Sequence, residues 1–224
     1  MSLVGLLAGK VQKTLYTTPS HGQKFFIYEP LKEMYKIDIS ETECQDPEEA
    51  LNRAQLRART IYHTYSTTFL TNGSTSGIIA AVLSCTQVGD KVLIAYFLSR
   101  YNIRTVIITS PSYEGIISDI EEIKTICERH GAFLIVDEAH GALYPFSDKL
   151  PLSAVNVADF TVQSLHKTAG GLNPTALLHC NCEIDVRPAL NMFMTTSPSY
   201  PLLASIEALS LIHISEPTRL RRIS

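Results

Sequence analysis

The sequence predicts an α/β fold, a mostly parallel sheet flanked by helices. Two patterns carry that expectation. Short apolar, β-branched runs alternate along the chain with longer segments whose apolar residues recur at helical spacing. The strand-like runs are apolar throughout, as strands must be when helices cover both faces of a sheet. Asp46-Pro47-Glu48-Glu49 opens a helix, with Asp as cap, Pro at the first helical position and acids in the first turn; it should run to about Tyr62. Ser74 to Ser84 reads as the next helix. Gly89-Asp90 is a turn into a short buried strand, Lys91 to Ala95. Thr105 to Thr109 is another strand, stopped by Pro111. Ser118 to His130 is amphipathic, with Ile120, Ile123 and Cys127 at helical spacing and Gly131 as a C-cap. Phe133 to Val136, Phe160 to Gln163 and Thr175 to Leu178 complete the expected strands.

Composition narrows the function classes. A chain of 224 residues is long enough for one well-buried core, and 45% hydrophobic with 18% charged residues is a globular balance. A net charge of −3 gives no reason to expect nucleic-acid binding. No apolar stretch is long enough to span a bilayer. Leu3 to Ala8 is apolar, but no basic region precedes it and Lys10 closes it, so a signal peptide is not expected. Five scattered cysteines, an odd number, suit a reducing cytoplasm. Cys180-Asn181-Cys182 is at most half a metal site, and no metal is expected.

The chemistry concentrates in three segments. Ile135-Val136-Asp137-Glu138-Ala139-His140-Gly141 places an aspartate at the end of an apolar run, and Ser164-Leu165-His166-Lys167 follows about thirty residues later. Both fall beyond the carboxyl ends of strands, where ligands of open α/β sheets sit. Pyridoxal phosphate needs such a pair: an amine to bond its aldehyde and a carboxylate to keep its ring nitrogen protonated. The third segment, Thr71-Asn72-Gly73-Ser74-Thr75-Ser76-Gly77, puts small hydroxyl residues at a helix start, which suits a phosphate. These groups serve a decarboxylase, a transaminase or a β-eliminating lyase equally.

NGSTSG, TSPSYEG, VDEAHG, QSLHKT, PTALLH and TTSPSYPLLASIEA, in that order, resemble the major domain of the Orn/Lys/Arg decarboxylases. These are pyridoxal-phosphate enzymes of the aspartate-aminotransferase superfamily (fold type I). The resemblance implies decarboxylation of a basic amino acid through a Schiff base on Lys167, with Asp137 on the pyridinium nitrogen. It implies Ser74, Thr75, Ser164 and His166 at the phosphate and Ala139 against the ring. His140 would approach cofactor or substrate, and Ser112 and Tyr113 would lie nearby. Thr196 and Ser197 match a segment that reaches the partner subunit's site, so a homodimer is implied. An aminotransferase or lyase on the same fold, or a catalytically inactive fragment, are the alternatives.

Two departures stand out. The family has a helix, a strand and a second helix, with a ring-stacking His, where this chain has only the shortened crossover 96–104. No His matches there, and Tyr96 or Phe97 is the available aromatic. Leu209 to Arg219, continued by Ile223-Ser224, reads as a translated transposase-type sequencing adapter. The expected division is therefore an N-terminal segment, 1–46, a partial cofactor-binding major domain, 47–208, and an adapter-derived tail, 209–224.

Overall fold

The computed structural model describes residues 2–10, 32–38, 47–93, 102–195 and 197–215. Helix α1 (Leu3–Lys10) and α2 (Lys32–Ile37) precede α3 (Pro47–Tyr62). Then come β1 (Ser66–Leu70), α4 (Ser74–Cys85), β2 (Lys91–Leu93), β3 (Ile103–Thr109), α5 (Ile120–Arg129) and β4 (Phe133–Asp137). The chain continues through β5 (Phe160–Ser164), α6 (Leu165–Thr168), β6 (Ala176–Cys180), α7 (Arg187–Leu190) and α8 (Tyr200–Ser215). No helix among the described residues is long and apolar enough to cross a membrane.

The strands form one sheet in the order β1-β6-β5-β4-β3-β2. β2, β3, β4 and β5 pair in parallel, and β6 is antiparallel to both β5 and β1. The mostly parallel α/β expectation therefore holds. After α6 the chain doubles back through residues 169–175, and β6 pairs antiparallel with β5, Ser164 opposite Ala176.

Strand alternation sorts the core into two faces. Leu70, Ile135, Phe160, Val162 and Leu178 pack with Ala80 and Ala81 of α4 and Leu190 of α7. α4 lies close because residue 77 is glycine; a Cβ there would meet Leu70 Cδ1 at 2.7 Å and Val162 Cγ1 at 3.1 Å. On the opposite face Phe69 and Leu177 pack with Leu3, Leu6 and Leu7 of α1, Ala54 of α3 and Leu203 of α8. Val106, Leu134 and Val136 pack there with Ile120 and Cys127 of α5.

Several expectations shift. β1, a run of Ser, Thr, Thr, Phe and Leu, was not anticipated, although its β-branched and aromatic centre is strand-like. The strand expected over Lys91 to Ala95 is described for Lys91–Leu93, and residues 94–101, with Tyr96 and Phe97, lie outside the described residues. The short crossover does not prevent β2 and β3 from pairing in parallel, with Lys91 opposite Ile103. Because β2 is only three residues long, the chain need retrace only two residues, roughly 7 Å, while each linking residue can span about 3.3 Å. α1, in the N-terminal segment, packs Leu3, Leu6 and Leu7 into the core. α8 runs past residue 208 to Ser215, and residues 216–224 lie outside the described ones.

Candidate active site

Asp137 is the last residue of β4 and is paired in register with Val162 of β5. It therefore shares the sheet face that α4 covers. Its Oδ1 accepts the Ala139 N–H at 3.1 Å, which turns the chain sharply after the strand. Lys167 lies in α6, directly after β5, and its side chain is exposed. Its Nζ is 3.5 Å from His140 Nε2. The His140 ring in turn meets Tyr113 edge to face, with centroids 5.9 Å apart at 85°. Three successive parallel strands, β3, β4 and β5, thus deliver Tyr113, then Asp137 and His140, then Lys167 to one end of the sheet. Ala139, between Asp137 and His140, is buried.

The start of α4 adjoins the same end. Gly73 caps it with φ of 85° and no side chain to accept the first-turn N–H groups, so these need an acceptor from outside. Ser76 is occupied internally: its hydroxyl bonds Asn72 Oδ1 and Gly73 O, and Asn72 Nδ2 donates to Phe193 O. The hydroxyls of Ser74 and Thr75 have no such partner among the described residues. Ser164 is fully buried on the α4 face, and its Oγ lacks a hydrogen-bond partner. His166 Nδ1 donates to Thr175 O at 2.9 Å, since a carbonyl can only accept. Ser112 bonds Glu114 and lies in the β3–α5 loop. Ser197 is exposed, its N–H on Thr195 Oγ1. Thr196 lies outside the described residues.

Behind this end of the sheet runs a polar layer that sequence reading missed. Glu138 follows Asp137 and points to the other face, where it is 2% exposed. Its carboxylate accepts from Ser153 Oγ (2.7 Å), Ala154 N (2.7 Å) and Gln163 Nε2 (2.6 Å). Gln163 Oε1 meets His179 Nε2 at 3.2 Å, and His179 Nδ1 meets Thr67 Oγ1 at 3.0 Å. One proton arrangement satisfies the chain: Thr67 donates to His179, His179 donates to Gln163, and Gln163 donates to Glu138. Burial pushes His179 down to about 3, in keeping with that neutral ring. Burial also raises Glu138, against its three donors, to about 7. Gly141 closes the turn over this side chain; a Cβ there would lie 2.5 Å from Glu138 Cγ. The only hint in the sequence was polar Gln163 and His179 inside otherwise apolar strands.

A groove of about 650 Å³ between α3, β1 and residues 183–187 lies at the opposite end of β1 and β6; Thr67 lines it, but Asp137, His140 and Lys167 do not.

Residues 98–221 match the family model for the major domain of Orn/Lys/Arg decarboxylases. The chain belongs to that family. Among its relatives, the uncharacterized protein YaaO of Bacillus subtilis is 30% identical over 86% of this chain and 52% of its own length. An arginine decarboxylase of Halalkalibacterium halodurans is 36% identical over 46% of this chain and 22% of its own. The decarboxylase-family domain described here therefore spans about half of YaaO and less than a quarter of the arginine decarboxylase. In structure it superposes on the lysine decarboxylase LdcF of Francisella novicida with a TM-score of 0.82, covering 94% of this chain and 40% of that one. At 16% identity, that likeness concerns the fold.

Proposed function

We propose that this chain binds pyridoxal 5′-phosphate and serves the decarboxylation of a basic amino acid of the ornithine, lysine or arginine type. One observation carries the reading: Lys167, His140 and Asp137 converge at the carboxyl ends of adjacent parallel strands, beside the open start of α4. Family membership and the printed activities of relatives support it. The residues fit the cofactor. An orphaned hydroxyl on Ser164, uncapped N–H groups on α4 and the free hydroxyls of Ser74 and Thr75 form a donor set with no internal acceptor, as a phosphate requires. His166 stands next to Lys167, with Nε2 available.

When bound, the cofactor supplies an electron sink for the charge left on the substrate as carbon dioxide departs. The chain's own groups do the rest. Lys167 anchors the aldehyde, and must be neutral to do so. His140 Nε2, 3.5 Å from Lys167 Nζ, is within reach to exchange a proton with it. Asp137, oriented by the Ala139 N–H, holds the proton on the ring nitrogen. Ala139 leaves room for the ring to lie close, and Tyr113 backs the His140 imidazole. The same reading includes a homodimer, with the segment that carries Ser197 at the second copy's site.

Titration of the purified chain with pyridoxal phosphate tests the first half. A visible absorbance band should saturate in the wild type and be absent in Lys167→Ala; a band retained in that variant refutes the anchor. Release of labelled carbon dioxide from ornithine, lysine or arginine tests the second half. Cofactor binding without release from any of the three would leave the site standing and remove the decarboxylase.

A further inference from the structure

Far from Lys167, at the opposite end of β6, Cys180 and Cys182 flank Asn181. Asn181 is pinned from three directions: its backbone N–H donates to Asp159 O at 2.9 Å, and its Nδ2 donates to Ala158 O at 2.8 Å and Val155 O at 2.5 Å. Residues two apart in extended chain share a side, so fixing Asn181 toward β5 turns both cysteines away from it together. Their sulfurs are 3.5 Å apart. Cys180 is fully buried and Cys182 is partly exposed, next to Glu183 and Ile184 of the groove wall.

The pair shares a proton. The Cys182 thiol donates to the Cys180 sulfur, which draws Cys180 down to about 7 and raises Cys182 in turn. Near neutral pH the site therefore holds a thiolate already touching a second thiol. Cys85 and Cys127 are buried singly, and burial pushes both thiols up. Among the described residues no group of three or more His, Cys, Asp or Glu gathers as a metal site, so the two sulfurs lack further ligands.

We propose that Cys180 and Cys182 form a redox dithiol that a small-molecule disulfide, such as oxidised glutathione, converts to an intramolecular disulfide. Cys182 is the sulfur that a dissolved disulfide can reach, and it passes its proton across the 3.5 Å contact to Cys180 as it attacks. A Cys182–glutathione bond forms, the glutathione S–S bond breaks, and one glutathione thiolate leaves. Cys180 then attacks the Cys182 sulfur and expels the second glutathione. Two cysteine sulfurs lose two electrons and two glutathione sulfurs gain them; the shared proton passes to one leaving thiolate, and water protonates the other.

The test is to equilibrate the purified full chain in graded mixtures of reduced and oxidised glutathione, quench in acid, alkylate under denaturing conditions and weigh the peptides. The peptide carrying residues 180–182 should lose two hydrogens and both alkylation sites together, while Cys85 and Cys127 stay alkylated. Cys180→Ser should hold a stable glutathione adduct on Cys182, and Cys182→Ser should leave Cys180 reduced. A native chain that keeps both sites alkylated in pure oxidised glutathione would overturn the proposal. So would an unresolved adduct on Cys182, or a bond from either cysteine to Cys44. If a serine variant fails to fold by circular dichroism, the native peptide masses decide the question alone.

Discussion

Two neighbouring carboxylates, Asp137 and Glu138, face opposite ways because successive residues of a strand do so. Asp137 goes to the α4 side and the candidate cofactor site. Glu138 goes to the polar layer with Gln163 and His179. That division has a measurable consequence. Glu138 is held at about 7 by burial, above the roughly 4.3 of a free glutamate. The folded state therefore binds this proton more tightly than the unfolded chain. The stability its protonation contributes is fully present below pH of about 4.3 and is lost as pH rises through about 7, on the order of 3 kcal/mol in all. Urea midpoints of the wild type should fall across that window, and Glu138→Gln, which cannot titrate, should flatten the profile. An unchanged profile in the glutamine variant would show that another group sets the dependence. Asp137 and Lys167 stood out as candidates only by their place after apolar runs. Glu138 was not legible, because burial and three donors from distant residues define it.

Among the elements, α5 was the most legible and β6 the least. Asp119 caps α5 by accepting Glu122 N–H at 3.0 Å, and Glu121 and Glu122 fill its first turn. The sequence showed its apolar stripe, and its bounds fall within two residues of the expected Ser118 to His130. Asp119→Ala should cost about 1 kcal/mol, read as a lower thermal midpoint with cofactor affinity unchanged, because α5 packs away from Lys167. A loss of cofactor binding in that variant would mean that α5 supports the site. β6 was expected as a strand, but its direction was not readable. Direction belongs to the pairing of β6 with β5 and β1 rather than to its own residues. α6 was also unseen: four residues, Leu165–Thr168, give too little periodicity to register, yet they carry Lys167.

For the whole molecule, Glu207 shows how distant parts of the chain are joined. It sits in α8, only 1% exposed, accepts Val4 N–H of α1 at 2.9 Å, and pairs with Arg57 of α3. Glu207→Ala should remove about 2 kcal/mol, since the half-exposed Arg57 can rehydrate but the Val4 N–H loses its acceptor. The check is a lower denaturant midpoint with an unchanged slope. Glu207→Gln, which keeps an acceptor for Val4, should lose less; equal losses would place the effect in the Arg57 pair. Local sequence alone determined the α/β class, three helices (α3, α4 and α5), every described strand but β1, and the lysine, aspartate and phosphate-loop candidates. Each of those depends on neighbours within a dozen residues. Only the tertiary structure decided that His140 stands 3.5 Å from Lys167, that Ser164 is orphaned beneath α4, and that Glu138 terminates a chain of donors. Those relations join residues from separate strands, and strand order and register are set by the packing of the whole sheet rather than by any one segment.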